Sequence, residues 1–154
     1  MNSRISLATP RKWWNKLDQE FHFTLDAAAD GKHHMTRSYF SPRRVSALIR
    51  PWSGRVWCSP PWSEDGLGHW VGKARTEAEV GNAEVVVMLL PVRPTSEWWQ
   101  EHALKSEEIR FIDGTLKFKP FDSNVKSINI EAHCLVIFRG IADKETRMKN
   151  YPAR

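Results

Sequence analysis

Arg55-Val-Trp-Cys-Ser-Pro-Pro-Trp62 joins a short apolar run to two consecutive prolines and a large ring. The run Arg55–Cys58 predicts a strand. The prolines fix two φ angles and remove two backbone donors, and the residue before them is held to extended geometry. A strand end followed by such a pair makes a stiff ledge. This ledge carries the Ser59 hydroxyl, backbone carbonyls without competing donors, and the Trp62 ring. That equipment suits a flat, amine-bearing ring whose NH2 group donates to acceptors, which points to chemistry on a nucleobase. Taken alone, the same four residues also suit a rigid turn with a packing tryptophan.

Working outward, Thr9-Pro10 before Arg11–Glu20 predicts a helix with Thr9 as N-cap and Pro10 at its first position. Phe21–Asp26 predicts a short buried strand. It runs into Asp26-Ala-Ala-Ala-Asp30-Gly31, small residues that let a backbone approach something closely. Residues 32–54 read as irregular and basic. After the ledge, Gly66-Leu-Gly68 reads as a loop and Trp70–Val80 as a helix. Glu84–Leu90 is the clearest buried strand, ended by Pro91 and Pro94. Ser96–Lys105 reads as a helix, Ile109–Ile112 with Thr115–Phe118 as a hairpin, and His133–Phe138 as a final strand. Strands alternating with helices predict an α/β architecture with a mixed sheet. One domain is expected over residues 1–142, with a polar tail over 143–154.

Ligands of open α/β sheets bind at the carboxyl ends of the strands. Three elements fall at such ends: Asp26–Asp30, Ser59–Trp62 and Pro91–Pro94. If their strands are parallel neighbours, all three open into one crevice.

The bulk composition bounds the partners. The chain has 154 residues, with 23 Lys and Arg against 18 Asp and Glu, a net charge of +5 that favours an anionic partner. Eight tryptophans are present, most expected in the core and one or two available as stacking platforms. Two cysteines, Cys58 and Cys134, make neither a disulfide framework nor a zinc site, so a reducing cytoplasm is expected. No apolar run is long enough to span a bilayer, so no membrane partner is expected. His33-His34 has no ligand at metal spacing, and no metal is expected.

The ordered set of motifs resembles the small phage DNA N6-adenine methyltransferases. It comprises Thr9-Pro10, Phe21-His-Phe-Thr-Leu-Asp-Ala-Ala-Ala29, Tyr39-Phe40, Trp52-Ser-Gly-Arg-Val-Trp-Cys58, Ser59-Pro-Pro-Trp62, Val86-Val-Met-Leu-Leu-Pro91, Trp98-Trp99, Glu108–Ile112 and Leu116-Lys-Phe118. The resemblance implies a single Rossmann-like methyltransferase domain with a mostly parallel sheet. It also implies S-adenosyl-L-methionine as methyl donor and a base of double-stranded DNA as acceptor, in the cytoplasm of a bacterial host, by a monomer or homodimer.

By the same resemblance, the Ser59 hydroxyl and Pro60 carbonyl accept from the base amine, Pro61 stiffens the ledge and Trp62 stacks on a base flipped from the duplex. Asp26 accepts from the donor's ammonium, and Ala27 and Ala28 leave room for it. Thr9, Pro10 and Asp30 contact the donor. Arg37, Arg43 and Arg44 are candidates for the phosphate backbone, and Arg93 for phosphate or base. For each of these residues a plain cap, turn or solvated-loop role is the alternative.

Two departures stand out. Ser59 occupies a position where N6-adenine enzymes of this kind carry Asn or Asp, and Ser-Pro-Pro-aromatic resembles the motif of N4-cytosine methyltransferases. Ser41–Leu48 is basic where an acidic residue for the donor's ribose is expected. Further readings are a DNA-binding module of the same fold without catalysis, and a methyltransferase acting on RNA.

Overall fold

Val85 through Leu90 are fully buried, and the odd and even positions face different cores. Val86, Met88 and Leu90 pack with Trp52, Trp70, Trp98 and Trp99. Val85, Val87 and Leu89 pack with Trp14, Phe21, Phe23 and Trp57. Side chains alternate across a strand, so a strand covered on both faces must be apolar at nearly every position.

The computed structural model describes residues 7–29, 31–41, 47–62, 64–114, 116–120, 128–129 and 131–140. Its elements run β1 (Leu7–Ala8), α1 (Arg11–Phe21), β2 (Leu25–Asp26), β3 (Gly54–Cys58), α2 (Glu64–Glu79), β4 (Ala83–Pro91), α3 (Glu97–Glu101), β5 (Glu108–Phe111), β6 (Lys117–Pro120), β7 (Ile128–Asn129) and β8 (His133–Arg139). The main sheet has the order β2-β3-β4-β8-β5. β2, β3 and β4 are parallel. β8 is antiparallel to both β4 and β5, so four of the five strands run in one direction. α1 covers one face of the sheet; α2 and α3 cover the other. The expected α/β architecture with a mixed, mostly parallel sheet is present.

Several local expectations are corrected. Pro10, not Thr9, takes the N-cap place of α1, with extended ψ of 119° and no side-chain cap; its carbonyl accepts from the Trp14 N–H at 3.0 Å. Phe21 closes α1 rather than opening a strand. His22 follows in the left-handed region at φ 51°, and Asp18 Oδ1 accepts from the Phe23 N–H at 2.9 Å. The strand that follows is only Leu25–Asp26.

Gly66-Leu-Gly68 lies inside α2 rather than in a loop. Packing overrides the low helix propensity of glycine there: Leu67 between them is fully buried in the core with Trp70 and Trp98. The helix expected over Ser96–Lys105 is one α-helical turn followed by a 3-10 turn at Ala103–Lys105. The expected hairpin is absent among the described residues. β5 pairs with the free edge of β8, and β6 joins β1 and β7 in a separate three-stranded antiparallel sheet. The tail 143–154 lies outside the described residues.

The entry to β3 gives a stability prediction. Gly54 has φ 82°, and a Cβ there would fall 2.5 Å from Thr24 Oγ1, the oxygen that accepts from the Arg55 N–H at 3.0 Å. A left-handed backbone costs a non-glycine residue about 1–2 kcal/mol. Gly54→Ala should therefore lower the urea midpoint by a corresponding amount; an unchanged midpoint would mean that this turn relaxes without strain.

Candidate functional site

β2 ends at Asp26, β3 at Cys58 and β4 at Pro91, and the three strands are parallel neighbours. The registers Asp26↔Trp57 and Cys58↔Met88 bring their carboxyl ends to one edge of the sheet. The Ala27 N–H donates to the Trp57 carbonyl at 2.9 Å, tying the first element to the strand beneath the ledge. The three strand-end elements thus share an edge, the condition for a common crevice.

On the ledge, Pro60 is buried, while Ser59, Pro61 and Trp62 are half-buried. The Trp62 Nε1–H donates to the Leu89 carbonyl at 3.2 Å. Its ring lies 4.9 Å from the ring of His133, tilted by 39°, and packs against both core clusters. Trp62 is therefore a fixed wall whose polar edge is committed inward. Among the described residues, no hydrogen bond engages the Ser59 hydroxyl or the Pro60 carbonyl. Two acceptors beside an aromatic wall can grip an NH2 group.

Asp26 ends β2, the strand next to the one that carries the ledge, and is 3% exposed. Its Oδ1 accepts from the Ala28 N–H at 3.2 Å and its Oδ2 from the Met35 N–H at 2.9 Å. Burial pushes its pKa up to about 6, against the opposing pull of those two amides and of His34 and Arg11. The group is an ionised, poorly solvated carboxylate at neutral pH, and it closes the loop that follows it. A carboxylate oxygen has two lone-pair directions, so each retains capacity for a cationic donor. Cys58 is fully buried; burial first, then the Asp26 charge, raises its thiol well above the ordinary range. It is an inert core residue.

Sequence reasoning missed what holds this corner. The Arg11 guanidinium donates to the carbonyls of Met35 at 3.2 Å and His34 at 3.4 Å. His34 stacks on Tyr39 at 4.0 Å. Ser38–Phe40 runs alongside Asp26–Ala29 through three backbone hydrogen bonds. Tyr39-Phe40 belongs to the motif set, yet nothing local marks Arg11. Thr9 and Pro10 are half-buried and lead directly into Arg11, whose side chain reaches this corner. Ala27 is buried and Ala28 half-buried. Asp30, Arg43 and Arg44 lie outside the described residues.

Of the basic candidates, Arg37 is exposed. Arg93 pairs with Glu131 at 2.7 Å, so an anion would reach it by exchange with that carboxylate. Arg93 also borders a cleft of about 500 Å³ between α2 and α3, with His69, Glu97, Glu101 and His102 on its walls. None of Ser59–Trp62 and none of the Asp26 corner lines it. Among the described residues, no group of three His, Cys, Asp or Glu side chains could hold a metal ion, and no helix is long and apolar enough to cross a membrane.

A comparison with curated proteins finds no match. A protein-family model does match, over residues 2–153, and that span takes in the whole strand-end edge with its acceptor ledge and buried carboxylate. The chain belongs to the DNA N-6-adenine-methyltransferase (Dam) family.

Proposed function

We propose that this protein transfers a methyl group from S-adenosylmethionine to the exocyclic N6 of an adenine flipped out of double-stranded DNA, in the cytoplasm of a bacterial cell. The observation that carries this reading is the acceptor pair at Ser59 and Pro60 beside the fixed Trp62 ring. Family membership favours adenine.

An exocyclic amine is a weak nucleophile because its lone pair is delocalised into the ring. With its two N–H groups donating to Ser59 Oγ and the Pro60 carbonyl, the nitrogen is drawn towards tetrahedral geometry, and its lone pair is directed away from the ring. Positive charge developing on that nitrogen then spreads onto two oxygens already in place. Trp62 holds the ring by stacking, and Pro60-Pro61 keeps the acceptors from recoiling.

The donor, when bound, supplies a methyl carbon already activated by a sulfonium, so positioning provides much of the rate. The Asp26 corner fits such a group. A buried carboxylate that is ionised at neutral pH suits a cationic ligand, and Ala27 and Ala28 present no bulk. On this reading Asp26 takes the ammonium; contacts of Thr9, Pro10 and Asp30 with the donor, and of Arg37, Arg43, Arg44 and Arg93 with the phosphates, are part of the proposal.

One observation favours a second reading. Ser59 stands where the N4-cytosine motif has its serine, and a hydroxyl can accept from either amine. Mass spectrometry of nucleosides from the DNA of an expressing host separates the two. N6-methyladenine is the expected product. N4-methylcytosine would transfer the reading to cytosine, and methylated RNA nucleosides would transfer it to RNA. No product, together with no donor binding by calorimetry, would leave a DNA-binding module of the same fold.

A further inference from the structure

The ledge has a second support that comes from the start of β8, beside the carboxyl end of β4. We infer that His133 is a positioning residue for the reaction, holding the Trp62 ring at the tilt from which it stacks on the target base. The inference rests on the proposed function, because it concerns the same ledge.

The prolines stiffen the backbone of Ser59–Trp62 but leave the Trp62 side chain its own two torsions. One contact is the hydrogen bond from Nε1 to the Leu89 carbonyl. That bond pins one edge of the indole, and the ring also packs against both core clusters. The second contact is the His133 ring, at 4.9 Å and 39°. A hydrogen bond at one edge and an aromatic contact elsewhere on the ring act together on its tilt.

His133 is itself well fixed. It is the first residue of β8, directly opposite Pro91 in the antiparallel register, and is 1% exposed. The Ile112 N–H donates to its carbonyl at 3.0 Å, and the Val92 N–H donates to the carbonyl of the preceding Ala132 at 2.9 Å. β8 is thereby held on both sides where it meets the ledge. Burial also lowers the pKa of the imidazole, against a smaller upward pull from Glu131. Burial thus favours the neutral ring, a flat surface beneath the stacking wall.

This arrangement predicts coupling between residues 71 positions apart in sequence. Loss of the stacking ring in Trp62→Ala should raise the KM for DNA about 5–150-fold. His133→Ala removes one aromatic contact and should raise it about three- to tenfold, with unchanged donor affinity by calorimetry. His133→Phe, which keeps a flat ring, should restore most of the loss. The discriminating measurement is the double variant: with Trp62 already gone, His133→Ala should add almost nothing.

Additive effects, or a His133→Ala defect that appears in donor binding, would overturn the positioning role while leaving methylation intact. If the unsubstituted protein transfers no methyl group, the proposed function fails instead. The same four-protein cycle, read as affinity for a single-stranded adenine-containing oligonucleotide, then decides the role of His133: coupling supports it and additivity rejects it.

Discussion

Replacement of Ser59 by alanine should lower kcat about 10²-fold while the fold and the donor affinity remain. The hydroxyl is half-buried and engages no described residue, so its removal breaks no internal contact of the described structure. Stability should stay within about 0.5 kcal/mol. What is lost on the proposed reading is one of two acceptors aimed at the amine, an interaction that strengthens only as charge develops on nitrogen. Such an interaction lowers kcat more than it raises KM. The Pro60 carbonyl remains, so activity is reduced rather than abolished.

Ser59→Asn supplies an acceptor one bond further out and carries the residue type expected of N6-adenine enzymes. It should recover part of the loss on adenine and none on cytosine. Single-turnover rates on a duplex oligonucleotide measure both effects. A Ser59→Ala rate within twofold of the unsubstituted protein would show that the hydroxyl does not face the amine.

The legibility of this site follows the range of the interactions that build it. Ser59-Pro-Pro-Trp62 was readable because proline acts on its own backbone and its neighbour's. The buried strand β4 was readable because an unbroken apolar run has few other uses. The shared edge was readable as a condition, because parallel strands place their carboxyl ends together.

What the sequence did not show is what depends on distant partners. Arg11 reaches carbonyls 23 and 24 residues away. β5 prefers the open edge of β8 to the neighbouring segment β6. Gly66 and Gly68 look like loop residues until Leu67 between them is seen to be buried in the core. The role of Asp26 as closure of its own loop was visible only as an alternative. Both oxygens take backbone amides, one of them nine residues ahead, and neither donor announces itself in composition.

Asp26 should give the fold and the donor site opposite responses to pH. Burial raises its pKa from 3.8 to about 6 in the folded protein. Between those values the folded chain holds a proton that the unfolded chain has released. The stability contributed by that proton is fully present below the unfolded pKa and is lost as pH rises through about 6. A difference of about two units corresponds to about 3 kcal/mol.

Donor binding runs the other way, because the ammonium requires the carboxylate. At pH 5 only about a tenth of Asp26 is ionised, so the apparent donor affinity should fall about tenfold from its value near pH 8. Asp26→Asn cannot ionise and also fails to accept from both the Ala28 and Met35 amides, at a cost of about 1–3 kcal/mol. Its absolute stability therefore mixes a relief and a loss, and the pH slope is the informative quantity. Urea midpoints at pH 5 and pH 8 should converge for Asp26→Asn relative to the unsubstituted protein. Calorimetry at the same two values should show weak, pH-independent donor binding. Parallel pH profiles for the two proteins would mean that Asp26 is not the titrating group, and strong donor binding by Asp26→Asn would remove the ammonium from its side chain.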